Sequence, residues 1–369
     1  MPHFQKPDLP PAAVADALVD PGRRRFARRL VTGATLAGCG WLAAPVLAAG
    51  EAPALRGGAA LMGTRVDISL DGADPARLRQ ALQAALAEMQ RLADMMSRYR
   101  DDNPVAALQA AAGRHPVVLP PEMFAVLKKA ESISRQTGGA FDVTVGALSG
   151  WRFDDPRADI PSARQIAREL RHVDHRQLIL DEAAGSAYLR ERGMRVDLGG
   201  IAKLPILQAG MDVLKRHGVA DAMINGGGDV LVSGRLHGRP WRIGVRDPAA
   251  PERLLALLPM SDGIVASSGD YERCVVRDGR RYHHVIDPRT GYPSEQVRGV
   301  TLVGRSVAEL NGLGAAAMVL GPAAGAALLS RQPGRQALMV GRDGSLWVSP
   351  ALAGRLLPPP GEQQVRGLG

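Results

Sequence analysis

Cysteine is nearly absent from the 369 residues: there are two, Cys39 and Cys274, and removal of an N-terminal segment would leave Cys274 alone. One thiol excludes both an intramolecular disulfide framework and a cysteine-built metal site, so packing has to supply the stability. Also missing are an exact internal repeat and a Pro/Ser-rich linker that would separate two domains. A single α+β domain of about 300 residues, with mixed or antiparallel sheets and flanking helices, is the simplest organisation. No basic run is interleaved with aromatic residues, and the formal charge of +9 is spread along the chain, so no nucleic-acid partner is expected.

What is present is an ordinary globular composition, 46% hydrophobic and 22% charged, with 43 Gly and 27 Pro to make turns. The first 49 residues differ from the rest. Arg23, Arg24, Arg25, Arg28 and Arg29 precede an apolar run from Leu30 to Ala49 that carries no charge. The order "GRRRFAR" matches a twin-arginine export signal, which predicts a periplasmic protein. A membrane anchor is the weaker reading, because Gly33, Gly38, Gly40 and Pro45 interrupt a run that would need about 20 strongly apolar residues. Lipid attachment at Cys39 is likewise disfavoured, since the apolar run continues past it. Loss of residues 1–49 removes five Arg and one Lys against three Asp, which lowers the charge from +9 to +6. The expected domain spans 50–355, followed by a loose tail over 356–369.

Periodicity places a strand at "RVDISL" and then a helix opened by Asp74-Pro75, with Leu78, Leu82, Leu86 and Met89 at helical spacing. Further helices are predicted over about 121–137, from Ser162, and from about Leu204 to His217. Strands are predicted at "DAMIN", "DVLVSG", "WRIGV", "GIVASS", "ERCVV", "YHHVI" and "GVTLVG", with Asp278-Gly279 as a hairpin turn. One helix of small residues should contain Asn311, and a terminal hairpin should surround "RDGS".

Four stretches could carry chemistry. In "GGAFDVTVGAL", Asp142 and Thr144 alternate on an extended segment and would point the same way; a strand edge with a cap explains them equally well. In "RVDLGGIAKLPIL", a strand bearing Asp197 leads through Gly199-Gly200 to Lys203 and a helix start, a possible phosphate seat without the Walker spacing. The three glycines of "INGGGDVLVSG" permit close approach to a ligand or merely a tight turn, and they lack the Rossmann spacing. In "SSGDYERCVVRDGRRYHHVIDPRTGYP", His284 and Asp287 are a possible base and its orienting partner, or a strand histidine and a turn aspartate.

Taken in order, "LMGTRVDISL", "MSRYRDD", "GGAFDVTVGAL", "VDLGGIAK", "INGGGDV", "VASSGDYER", "HHVIDPRTGYP" and "AAAMVLG" resemble the ApbE family of FAD:protein FMN transferases across nearly the whole domain. The resemblance implies FAD as substrate, AMP release, and FMN placed in phosphoester linkage on a threonine of an acceptor flavoprotein, with magnesium assisting. It implies FAD contacts from Met62, Tyr99, Ala140, Phe141, Asp142, Asp197, Lys203, Ser268, Gly269 and Val285, with His284 as the base and Asp287 in its turn. The metal shell would fall at Gly200, Asn311 and Ala315. Family members usually carry an aspartate and, four residues later, a threonine where this chain has Asn311 and Ala315. Leu204-Pro205 and Gln208 also depart from the family's usual Gly-Tyr and aspartate. Two readings follow: an exported transferase, or a catalytically reduced FAD-binding accessory or maturation protein with a degraded magnesium site. The export signal on this pattern also resembles the NosX-type subgroup of nitrous oxide reductase maturation, whose flavinylated partner is a membrane protein.

Overall fold

The computed structural model describes residues 54–359 other than 154, 156 and 333. The expected export signal over 1–49, Cys39 and residues 360–369 of the expected tail lie outside the described residues. A hairpin opens the fold, Leu55–Leu61 against Thr64–Asp71. Its turn residues Met62 and Gly63 both have positive φ, 55° and 70°, as a two-residue primed turn requires. Asp74 then caps the helix Pro75–Met96 by accepting from the amides of Ala76 and Arg77. The helix buries Leu78, Ala81, Ala85, Met89, Leu92 and Met96. Leu82 and Leu86, expected in that stripe, flank it half-buried, and Ala81 and Ala85 take the fully buried positions.

Eight strands form one sheet, paired antiparallel throughout. Its order is Leu55–Leu61, Thr64–Asp71, Asp221–Gly226, Asp229–Ser233, Gly263–Gly269, Val297–Gly304, Gln336–Gly341 and Leu346–Val348. The period of two divides its side chains between two cores. Ile68, Ile224, Leu231 and Ile264 stand opposite one another on neighbouring strands and face the helices Pro75–Met96, Lys203–Arg216 and Leu313–Ser330. Each such side chain contributes about 1.5–3 kcal/mol when fully buried. Met223, Val232, Val265, Val303 and Val340 point the other way, onto a hairpin of Trp241–Asp247 and Ala250–Met260 that contributes Trp241, Ile243 and Leu258. A third cluster gathers Trp151 with Phe153, Tyr282 and Tyr292.

The predicted small-residue helix is broken at the point of interest. Val307–Leu310 is a single turn, Asn311 is extended (φ −59°, ψ 129°), Gly312 is left-handed at φ 79°, and only then does Leu313–Ser330 begin. A second break falls at Gly321, φ 81°, before Pro322. The segment 307–330 is long and apolar enough to cross a membrane, but most of it is buried against the sheet, as in a core helix. The strand predicted through "YHHVI" ends at His283, which leaves His284 in the connection beyond it. At the C-terminus the backbone of Leu357 exchanges two 2.8 Å hydrogen bonds with Leu257, so the folded part runs past residue 355.

Candidate active site

Between the N-terminal hairpin, the helix starts and the central strands lies a cleft of about 1620 Å³. Small-ligand pockets span about 300–1,000 Å³, so this one has room for a dinucleotide and part of a second molecule. Every residue expected at the site lines it except Asp287.

One wall is the segment that leads into the helix Lys203–Arg216. The Asp197 carboxylate accepts from the Gly199 amide at 2.8 Å and from Arg98 at 2.6 Å. Burial pushes this carboxyl up, but Arg98, the Gly199 amide and Arg273 outweigh it, and Asp197 is held below the usual carboxylate range. No side chain caps the helix that follows; Pro205 has no N–H and the Ile206 amide donates to the Ala202 carbonyl, so the amides of Lys203 and Leu204 are the ones left for a ligand, and the helix dipole favours an anion there. The Lys203 ammonium lies 2.8 Å from Asp229. Burial alone would lower its pKa, but Asp229 and Glu272 reverse the direction and keep it protonated. Arg98, Arg273 and Arg246 also line the cleft, which gives it the cations a diphosphate needs.

Asp142 and Thr144 do meet, but not on an extended segment. Residues 142–144 form a tight turn in which one Asp142 oxygen accepts from the Thr144 amide at 2.7 Å and its hydroxyl at 2.6 Å. The other oxygen accepts from the His175 amide at 2.8 Å. Burial nevertheless raises the Asp142 pKa above its ordinary value. Three donors fix this carboxylate, so Asp142 shapes the wall that presents Ala140 and Phe141. The small residues of Leu313–Ser330 close the opposite side: a Cβ at Gly314 would stand 2.7 Å from the Ser268 hydroxyl.

His284 is the site's imidazole. Its backbone amide donates to the Arg273 carbonyl at 3.0 Å, and Nδ1 faces the same oxygen at 3.3 Å. Nδ1 therefore carries the proton as donor, which leaves Nε2 as the acceptor. Burial first, then His283 and Arg273, push His284 down to about 3, so the ring is neutral near pH 7. Asp287 is not its orienting partner, a correction to the sequence reading. The Asp287 carboxylate accepts from the backbone amide of Arg289 at 2.9 Å and from its guanidinium at 2.9 and 2.8 Å, closing its own turn. A backbone carbonyl does the orienting instead. Arg273 also donates to the Tyr99 hydroxyl at 2.9 Å, which ties the exposed Tyr99 to the residue whose carbonyl orients His284.

The metal shell implied by resemblance does not fit the residues present. Asn311 is buried and donates its amide to the Ile201 carbonyl at 2.8 Å. It turns an N–H, not an oxygen, toward that carbonyl, and the carbonyl belongs to Ile201, not to Gly200. Ala315 has no ligating atom, and the helix break at Asn311-Gly312 removes the one-face geometry expected of positions 311 and 315. Gln208 bonds Asp212 along its own helix. Among the described residues no group of three or more His, Cys, Asp or Glu is placed to hold a metal ion. Magnesium prefers near-octahedral oxygen ligation, which this donor set does not offer.

An antiparallel α+β domain whose main cleft joins a helix start, several cations and a neutral imidazole defines a protein able to hold a nucleotide diphosphate beside a proton acceptor. The chain belongs to the ApbE family, whose sequence model matches residues 62–339. It is similar to the FAD:protein FMN transferase of Treponema pallidum (strain Nichols), 32% identical over 298 residues covering 76% of this chain and 82% of the relative. A Klebsiella pneumoniae (strain 342) protein of the same name is 34% identical over 248 residues, 66% and 76% of the two chains. The fold is similar to the ApbE protein of Thermotoga maritima, with TM-score 0.74 and 29% identity over 82% of this chain and 98% of that one. The flavin transferase ApbE from Vibrio cholerae gives TM-score 0.70 and 26% identity over 82% and 99%.

The sequence reading missed Asp229, Glu272, Arg98, Arg273 and Arg246, all in the cleft. Among the stretches that carry the family resemblance, Arg98 lies in "MSRYRDD", Asp229 in "INGGGDV", and Glu272 and Arg273 in "VASSGDYER", whereas Arg246 falls outside every such stretch.

Proposed function

We propose that the chain is an exported FAD:protein FMN transferase that moves FMN onto a threonine of an acceptor flavoprotein and releases AMP. The observation that carries this reading is His284, a neutral ring with Nδ1 taken by a carbonyl, in the same cleft as Lys203 and the uncapped helix start. In the reaction Nε2 takes the threonine hydroxyl proton as the oxygen attacks the FMN phosphorus. The bond from that phosphorus to the bridging oxygen breaks, and AMP leaves with the oxygen and its electron pair. Lys203 and the helix N–H groups stabilise the charge that builds on the phosphates. Arg98 and Arg273 add positive charge along the same cleft. The export pattern supports periplasmic placement and an acceptor exposed there, including a membrane-bound electron-transfer protein such as the NosX-type subgroup serves.

The second reading, an FAD-binding accessory without transfer, draws on the Asn311 hydrogen bond, which fills the place of a ligand with a donor. Both readings require recognition of the diphosphate. Titration by flavin fluorescence should therefore show FAD bound at least tenfold more tightly than riboflavin, since charge-assisted phosphate bonds contribute about 1.5–3 kcal/mol each. Equal affinities for the two flavins would overturn the placement of the diphosphate.

A further inference from the structure

One buried carboxylate of the cleft takes no part in the chemistry above. Asp229 is 5% exposed and follows the glycines at 226–228. One of its oxygens accepts from the Ser267 amide at 2.7 Å, and the other faces the Lys203 ammonium at 2.8 Å. It thereby joins three elements that share no neighbouring sequence: the strand Asp229–Ser233, the strand Gly263–Gly269 and the first residue of the helix Lys203–Arg216. The glycines make that reach possible. Gly227 and Gly228 have φ of 63° and 96°, and a Cβ at Gly227 would stand 2.3 Å from the Thr64 hydroxyl. A lysine side chain is long and loses much rotamer freedom when held in one place. Here the holding is done before any ligand arrives.

We propose that Asp229 is a positioning residue for flavin transfer: it clamps the Lys203 ammonium against the Ser267–Gly269 wall, aimed at the phosphates, without touching the reacting atoms. This rests on the reading of the cleft as the FAD diphosphate site. Asp229 is the one carboxylate within 4 Å of Lys203 among the described residues. The other titratable groups that interact with this lysine are Glu272 and His284, and Glu272 in turn interacts with Tyr271 and Arg246. Glu272 is hydrogen-bonded by Tyr271, its own chain neighbour, and so does not tie the lysine to a distant strand as Asp229 does through Ser267. Its carboxyl is also pushed up by burial, which favours the uncharged form.

Asp229→Asn separates the charge from the shape, because the amide oxygen still accepts from Ser267. In the full mature chain with FAD and a threonine acceptor, the variant should bind FAD within about threefold of the parent, while kcat falls roughly 30-fold; a misplacement of about 1 Å can cost 10²-fold. A purely structural role would not move the alkaline limb of the kcat profile. Burial lowers the Lys203 pKa and Asp229 offsets it, so the variant should lose activity at a lower pH than the parent. Asp229→Glu keeps the charge and should keep the parental alkaline limb despite a reduced kcat; it gives the same reading if the Asn variant does not fold. The double variant with Lys203→Met should be no slower than Lys203→Met alone, because Asp229 acts through that lysine. Parental kcat and limb in Asp229→Asn, or losses that multiply in the double variant, would overturn the proposal and leave the diphosphate site standing. A parent that binds FAD no better than riboflavin would overturn both.

Discussion

Replacing His284 with alanine should lower the transfer rate by about 10²–10⁴-fold, the usual contribution of a positioned general base, while FAD affinity changes only a few-fold. A threonine hydroxyl is a weak nucleophile until its proton is removed, and among the described residues His284 supplies the cleft's imidazole with Nε2 as acceptor. Single-turnover rates with saturating FAD check it, and a variant that keeps a tenth or more of the parental rate would remove the ring from the mechanism. The pH dependence has a defined sign. With the ring pushed down to about 3 by burial and its cationic neighbours, the free enzyme keeps a competent base as pH falls well below the ordinary 6.5. The anionic diphosphate favours the protonated ring, so the acid limb of kcat should lie at higher pH than that of kcat/KM. The same shift acts on stability. Between 6.5 and about 3 the unfolded chain binds a proton that the folded ring refuses, so stability falls as pH falls through that window. His284→Ala should flatten this slope in acid-denaturation curves.

The second large effect concerns the position of the expected metal ligand. Asn311 donates to the Ile201 carbonyl, and Asn311→Asp would set a carboxylate oxygen against that carbonyl, two acceptors in a buried place. Without a cation the single variant should lose about 1–3 kcal/mol, the cost of leaving such a group unsatisfied, seen as a melting temperature several degrees lower in the presence of a chelator. With this carboxylate in place, an added divalent cation should restore the loss. Adding Ala315→Thr supplies a further oxygen, and the double variant should gain a magnesium-stimulated transfer rate that exceeds any stimulation of the parent. A melting temperature indifferent to magnesium, with unchanged activity, would contradict the account of this site as a hydrogen bond standing where a cation would otherwise bridge. Binding measured by melting temperature is independent of turnover, so the two readouts separate metal capture from its use.

The local signals in the sequence carried much of the fold. Asp74-Pro75, Pro121 and Ser162 mark helix starts that the structure keeps, Gly218 follows a helix end, and Asp278-Gly279 is the turn between Cys274–Arg277 and Arg280–His283. These are decided by backbone chemistry over a few residues, and neighbours suffice to read them. The break at Asn311-Gly312 escaped because a run of Ala, Leu and Gly satisfies helical spacing on either side, and what opens it is a contact to Ile201, 110 positions away. The same limit explains Asp287. Its spacing from His284 suits a base and partner, yet Arg289, two residues on, claims the carboxylate, while the true orienting group is a carbonyl with no side-chain signature. Lys203 could be picked out beside a glycine turn, but not its counter-ion Asp229, nor Arg98 and Arg273, which reach the cleft through contacts between distant segments. The family pattern supplied a list of residues; their partners came from the fold.

The most direct measurement is an intact-mass spectrum of a threonine-bearing acceptor incubated with FAD and the mature protein, with AMP quantified in the same tube. The account predicts one FMN added per acceptor threonine, one AMP released for each, and neither when that threonine is replaced by valine. Tight FAD binding with no mass increment and no AMP would contradict transfer and leave the chain as a flavin-holding accessory.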